Sequence, residues 1–203
     1  MKHEALRKLP QQARSRKRFN QILDMAAQIF EEMGYEATST ELIAERANTS
    51  IGSIYRFFPD KAAIVYALAE RYAEQMQSLF ATYFHFSAVH SPLDKIVGDT
   101  IDAFDDFYTK QPGCRVIMLQ SLISPEIQEI NKRADHMIIE QMDAFFAVRN
   151  PKIDAAQRKL AALVSIEIAN TLQLWALTQD DKFRRQIIEE TKKVIIRYLE
   201  TMF

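Results

Sequence analysis

Apolar residues recur three and four positions apart along almost the whole chain, and only 4 glycines and 6 prolines interrupt the pattern. That period lines up one side chain per turn on a common face, which specifies amphipathic helices and not the strict alternation of strands. Phe19, Ile22, Leu23, Ala26, Phe30 and Met33 form the first stripe, and Gly34 follows where a helix commonly ends in left-handed geometry. Thr38 and Glu41 have the spacing of a capping box, opening a short helix through Ile43, Ala44 and Ala47 that Asn48 breaks. Ser50 caps a third helix running through Ile54 to Phe57, and Pro59 with Asp60 resets the chain for a fourth.

From Lys61 the helices lengthen. Ile64, Leu68, Tyr72, Met76, Leu79 and Tyr83 stripe the fourth, and Pro92 closes the loop after it. Leu93, Val97, Ile101, Phe104 and Tyr108 stripe a helix ending at Pro112-Gly113, followed by a shorter one from Arg115 to Leu122. Pro125 starts another, which Asn150-Pro151 ends, and the last two run from about Asp154 to Gln179 and from about Lys182 to the C-terminus. The expected fold is all-α with about nine helices. With 203 residues and 48% apolar content the chain can bury its core without metal or disulfide staples. A single cysteine, Cys114, rules out an intramolecular disulfide and a cysteine-rich zinc site, as suits a reducing cytoplasm. Neither a secretory leader nor an apolar run of the roughly 18 residues a membrane span needs is visible, so the expected location is cytoplasmic.

The formal charge is only -1, from 26 Lys+Arg against 27 Asp+Glu, but it is unevenly spread. Lys2, Arg7, Lys8, Arg14, Arg16, Lys17 and Arg18 are opposed by Glu4 alone, while the later chain leans acidic. Such an arm has two readings, a binder of an anionic partner or a solubilising tail.

The run Leu42-Ile43-Ala44-Glu45-Arg46-Ala47-Asn48-Thr49-Ser50-Ile51-Gly52-Ser53-Ile54-Tyr55 has the pattern of two helices crossing at a tight turn. Ala44 is small where the second helix approaches, Asn48 tolerates a positive φ, and Ile43, Ala47, Thr49 and Ile54 supply a small core. The second helix then presents Ile51, Ser53 and Arg56 outward, a face suited to a major groove about 12 Å wide.

The segment from Gly34 through Lys61 resembles the DNA-binding domain of the TetR family of bacterial helix-turn-helix regulators. The matching pieces are Gly34-Tyr35, Thr38 to Thr40, Ile43-Ala44, Ala47, Ser50 with Gly52, Ile54-Tyr55, Phe58-Pro59 and Lys61. Two residues depart from the family's pattern. Asn48 stands where glycine is usual, a mild change. Phe57 stands where histidine or tyrosine is common and cannot donate to phosphate. The resemblance implies a basic arm and DNA-binding domain over residues 1–61 and a larger effector-binding and dimerisation domain over 62–203. It implies phosphate contacts from Thr40, Tyr55 and Lys61, with Ser50 on the same surface. Base reading would fall to Ser53, Arg56, Glu41 and Ile51, and Arg16, Lys17 and Arg18 would meet phosphate or a neighbouring minor groove. Taken singly, Tyr55 and Phe58 also read as core aromatics and Arg56 as a solvated cation.

The segment from Leu160 to Leu177 is apolar nearly all round, so one face needs a partner, and Ile187, Ile188, Val194, Ile195, Tyr198 and Leu199 of the final helix offer a matching face. The expected assembly is a homodimer through the last two helices. Glu167 shares a stripe with Val164, Thr171 and Trp175; Glu167, Thr171 and Trp175 read as effector contacts, or Glu167 as an ion-paired or interface-rim carboxylate. Phe104, Phe107, Tyr108 and Met118 line either an apolar effector pocket or the core. His136 and Glu140 have a metal-like spacing but share a charged face and lack a third ligand, and Asp99, Asp102, Asp105 and Asp106 lack a histidine. No glycine-rich phosphate loop is present. No enzyme, cofactor or metal is therefore expected. The expected function is sequence-specific binding of a palindromic double-stranded DNA operator, with release by a small-molecule effector and repression as the outcome. The rival is a helical ligand-binding or interaction module that no longer binds DNA.

Overall fold

The computed structural model describes residues 11–203. Among the described residues there are nine α-helices, one short 3-10 turn and no strand. They are α1 (Ala13–Ala37), α2 (Thr40–Arg46), α3 (Ile51–Phe57), α4 (Lys61–Ala81), α5 (Leu93–Lys110), α6 (Cys114–Gln120), α7 (Pro125–Arg149), α8 (Ala155–Ala176) and α9 (Asp181–Glu200). Capping chemistry sets several ends: the Asp154 carboxylate accepts from the Gln157 amide, and that of Asp180 from the Lys182 and Phe183 amides. α7 opens on Pro125, whose missing N–H is no loss at a first helical position.

Two helix ends differ from expectation. α1 starts at Ala13, so Arg14, Arg16, Lys17 and Arg18 are helical; arginine and lysine are good helix formers and nothing before Phe19 breaks the run. Lys2, Arg7 and Lys8 lie outside the described residues. The cap of α2 is Ser39, whose hydroxyl accepts from the Leu42 amide at 3.1 Å. Thr38, expected as that cap, instead donates to the Gly34 carbonyl at 2.7 Å. Gly34 does break the helix, at φ 79 and ψ 173, but one more turn to Ala37 follows, and Thr38 closes that turn.

The chain forms two compact units, one running to Tyr72 and taking in Lys110–Gln128, the other made of Ala73–Thr109 and Glu129–Phe203. In the first, α6 packs on α1, so a segment late in the sequence completes a mostly N-terminal unit. Gly113 makes this possible. It has φ +70, and a Cβ there would lie 2.6 Å from the Ala27 carbonyl oxygen. Its amide donates to a Glu31 carboxylate oxygen at 3.0 Å, and the Tyr72 hydroxyl donates to the Pro112 carbonyl at 2.6 Å. Cys114 beside it is fully buried, and burial pushes its thiol up to about 12, so it stays a protonated packing side chain.

The second unit has an aromatic core. Phe80 stacks on Phe84 with centroids 4.4 Å apart, Phe84 meets Phe145 edge-on at 5.1 Å, and Phe146 stacks on Phe203. Phe80 and Phe84 fill the place the stripe gave to Leu79 and Tyr83, which are only half-buried. Steps of four from Met76 follow the inner face here, while steps of three and four lead off it. Ala161, Ala162 and Ala176 of α8 are buried in the same cluster as Ile188, Ile195 and Leu199 of α9. The Asp105 carboxylate pairs with Arg184 and that of Asp102 with Lys192 at 2.5 Å, tying α5 to α9, while Asp99 pairs with Lys95. The buried Gln173 amide donates to the Ile101 carbonyl at 3.2 Å. No described helix is long and apolar enough to cross a membrane.

Replacing Gly113 by alanine should lower stability by roughly 2–5 kcal/mol, since it adds backbone strain to a backbone clash. Equilibrium urea unfolding measures this, and a midpoint equal to wild type would mean that the turn moves off α1 at little cost.

Candidate nucleic-acid interface

α2 and α3 are seven residues each, too short to hold together alone, so their geometry comes from caps and packing. The turn between them uses Asn48 at φ 48, as the sequence suggested, and the Thr49 amide donates to the Ala44 carbonyl at 3.0 Å. Ser50 is the N-cap of α3, its hydroxyl accepting from the Ser53 amide at 3.2 Å. Ile43, Ala44, Ala47 and Ile54 are buried, and Thr49 is half-buried. Phe58, stacked on Phe19 at 4.9 Å, and Phe57, edge-on to Phe19 at 5.7 Å, fix the far end of α3 to α1. The Gln21 side chain donates to the Ala47 carbonyl at 2.9 Å, closing the end of α2 from the α1 side. Neither the Gln21 bond nor the Phe19 platform follows from the helix-turn-helix pattern; only the placement of Phe19 on the first stripe hinted at it.

The outward face of α3 carries Ile51, Gly52, Tyr55 and Arg56, all exposed, with Ser53 half-buried and its hydroxyl 2.9 Å from that of Ser50. Of the two aromatics with a core alternative, Phe58 is core and Tyr55 is 42% exposed. The Tyr55 hydroxyl lies 3.3 Å from that of Thr40, which also donates to the Glu41 carboxylate at 3.3 Å. Three polar groups thus meet at the start of α2. The Arg56 guanidinium lies over the Phe57 ring, 4.7 Å from its centroid, so a side chain unable to reach phosphate orients a cation instead. Arg16 and Lys17 are exposed on the first turns of α1, and Arg18 is half-buried. The Lys61 ammonium is turned inward: it donates to the carbonyls of Tyr35 at 2.7 Å and Thr38 at 2.8 Å.

The seven effector candidates are spread over several faces. Phe104 and Phe107 are half-buried and Tyr108 is buried, with Phe104 and Tyr108 edge-on at 6.1 Å. Met118 is half-buried on α6. Glu167, Thr171 and Trp175 are exposed on α8, and Trp175 meets Phe183 edge-on at 5.8 Å. The group that feels Glu167 is a carboxyl: Asp135 on α7 is pushed up by burial, against the hydrogen bond of Asn170, and the charge of Glu167 adds to the rise. A groove of about 220 Å³ beside α5, lined by residues such as Tyr83, His85, Lys95 and Asp99, includes none of the seven. Among the described residues no group of three or more His, Cys, Asp or Glu could hold a metal.

Residues 22–68 match the model of the family described as bacterial regulatory proteins, tetR family, and residues 92–199 that of the tetracyclin repressor-like C-terminal domain. The chain is 41% identical over 58 residues to the HTH-type transcriptional regulator YvkB of Bacillus subtilis, a stretch covering 29% of this chain and 31% of that protein. It is 35% identical over 63 residues to the HTH-type transcriptional repressor KstR of Mycolicibacterium smegmatis, covering 31% of each. The matched stretch thus spans under a third of these curated relatives. The crystal structure of a TetR-family transcriptional regulator from Streptomyces coelicolor superposes with a TM-score of 0.68 at 28% identity, covering 93% of this chain and 99% of that one.

Replacing Ser50 by alanine removes the α3 cap and should cost about 1 kcal/mol, and Ser39 to alanine a similar amount at α2. Thermal unfolding of the two variants checks this; unchanged midpoints would mean that water replaces the caps without loss.

Proposed function

The chain belongs to the TetR family of bacterial regulatory proteins, and from that premise we propose that it is a repressor whose homodimer holds a palindromic operator until a small-molecule effector releases it. The observation that carries the reading is the outward face of α3. Its exposed residues stand on a helix fixed by the Ser50 cap and the Phe19 platform, and around Gly52 there is open space, with nothing within 4 Å of a Cβ placed there. A glycine inside a helix costs about 1 kcal/mol relative to alanine, and no contact inside the protein asks for it. Close approach of a partner's backbone accounts for that cost.

In this reading α3 enters the major groove. Arg56, oriented by Phe57, bonds the edge of a guanine with two hydrogen bonds, beside Ser53, Ile51 and Glu41. Ser50 and the Thr40–Tyr55 pair meet the DNA backbone and set register. Arg16, Lys17 and Arg18, raised on the first turns of α1, add charge that is paid back in counterion release. The two copies of α3 lie about 34 Å apart, one helical turn of DNA. Repression as the sign of control is supported by the KstR relatives, which are transcriptional repressors. The place of action is the bacterial cytoplasm, on the nucleoid when DNA is bound.

Effector binding and dimerisation fall to residues 62–203, of which 62–72 and 110–128 belong to the same compact unit as the recognition helices. α8 and α9 pack on each other and leave Leu160, Leu163, Trp175, Phe183 and Val194 exposed, a large apolar surface for a chain that folds around its own core. A second copy covers this face in a four-helix, two-fold interface, with Glu167 and Thr171 at its edge and Trp175 within it. The effector then belongs to the aromatic group of Phe104, Phe107 and Tyr108 on α5. It acts by preferring one spacing of the paired recognition helices over another.

Selection of duplexes from a random pool should return a palindrome whose affinity falls steeply with salt. Arg56→Ala should lose about 1–3 kcal/mol of discrimination at one base pair while keeping fold and dimer. Gly52→Ala should separate two properties, unfolding at a higher temperature while binding the operator more weakly; a variant that gains stability and keeps its affinity would remove the close-approach reading. Leu163→Glu with Trp175→Glu should sediment as a helical monomer at micromolar concentration, and a wild-type monomer there would sink the dimer.

A further inference from the structure

Lys61 is the first residue of α4, where a helix end favours anions over cations. Its half-buried side chain points toward the end of α1. It donates to the carbonyls of Tyr35 at 2.7 Å and Thr38 at 2.8 Å, with that of Glu36 at 3.4 Å, and lies 4.1 Å from the centroid of the Tyr35 ring. Tyr35 and Glu36 lie in the final turn of α1, at the end of a helix that favours a cation, and Thr38 is its cap; the Tyr35 carbonyl also accepts from the Thr38 amide at 3.3 Å. An ammonium has three N–H donors, and two are fixed in short bonds to carbonyls while the third faces Glu36 and the ring. Donation to a phosphate would therefore have to break a bond already made.

The segment that Lys61 grips leads directly to the DNA-facing groups. Thr38 donates to the Gly34 carbonyl, Ser39 caps α2, and Thr40 holds the Tyr55 hydroxyl of α3 at 3.3 Å. One cation thus ties the start of α4 to the connector that sets where α2 begins, and through Thr40 it reaches α3.

We propose that Lys61 is a positioning residue: its ammonium clamps the connector 35–38 to α4 and so holds Thr40 and Tyr55 in register with operator phosphates, without touching phosphate itself. This rests on the DNA-binding reading above. It departs from the phosphate contact that family resemblance implies for the same residue, and the two roles differ in what salt does to them. A phosphate contact releases counterions, so its loss lowers the slope of log affinity against log salt by about 0.9 per contact, whereas a misplaced connector weakens binding at every salt concentration alike.

The test titrates wild type, Lys61→Met, Lys61→Arg and Lys17→Gln against the selected operator over a series of salt concentrations, with amide hydrogen exchange read over residues 35–42. Lys61→Met is expected to bind about tenfold more weakly, the size of one lost charge-assisted bond, with an unchanged slope and faster exchange at 35–42. Lys61→Arg, which keeps donors and a cation for the Tyr35 ring, restores most of both. Lys17→Gln supplies the contrast, a lower slope with normal exchange. A lower slope for Lys61→Met with wild-type exchange overturns the clamp. In the wild-type complex, a coupling between the Lys61 nitrogen and a phosphorus nucleus in the NMR spectrum overturns it too, even should Lys61→Met fail to fold. If no duplex is selected, the DNA-binding reading fails by itself, and the exchange of Lys61→Met still decides the clamp.

Discussion

The contact of Phe19 with Phe57 and Phe58 is the interaction on which the recognition unit depends. A seven-residue helix has no stability of its own in water, so α3 exists because its inner face is buried and its two ends are held. The N-terminal end is held by the Ser50 hydroxyl, worth about 1 kcal/mol. The C-terminal end is held by two aromatic side chains, each worth about 1.5–3 kcal/mol when fully buried. The aromatic end is thus the stronger anchor, and it leaves Ile51, Tyr55 and Arg56 exposed on the opposite face of α3. Arg56 gains from the same arrangement. Its guanidinium rests on a ring that packing already immobilises, so less side-chain entropy remains to be lost on binding.

Polar groups elsewhere show the same economy. The acidic residues of α5 look in the sequence like a cluster seeking a function, yet Asp105 and Asp102 each face a cation of α9 and Asp99 faces Lys95. Arg184 and Lys192 are mostly covered, with 11% and 13% of their side chains exposed, so removing either partner would leave a charge poorly solvated. The pairs therefore fix the register of α9 against α5 more than they add net stability. The apolar outer face of α8 and α9 leaves five large side chains exposed, Leu160, Leu163, Trp175, Phe183 and Val194, which is why it carries the dimer proposal.

The helices were legible because their periodicity and punctuation are local properties. Pro125, Asn150-Pro151, Asp154 and Ser50 act within a turn of where they stand, and each sits at an end the structure has. What depended on distant partners was not legible. Ser39 and not Thr38 caps α2 because Gly34 allows one further turn of α1, which uses the Thr38 hydroxyl. The return of the segment 110–128 to the N-terminal unit depends on Gly113 meeting Ala27, a contact across more than eighty positions that no local pattern announces. Lys61 illustrates the same limit at the candidate site. Its type and place fit a phosphate contact, and only the positions of three carbonyls at the end of another helix reveal that its donors are engaged.

These fixed contacts also bear on how an effector can act. Within the recognition unit a change of shape would have to undo the Phe19 platform, the caps, the Lys61 clamp or the close approach at Gly113, each costing on the order of 1–3 kcal/mol. Moving a dimer from mostly bound to mostly released needs a ligand preference of about 5.5 kcal/mol, which a few such losses would exhaust. A change in the spacing of two intact recognition helices spares all of those contacts and spends the ligand's preference on geometry alone. Within the proposed function, the head that reads DNA is therefore a rigid part, and control lies in what sets the distance between its two copies.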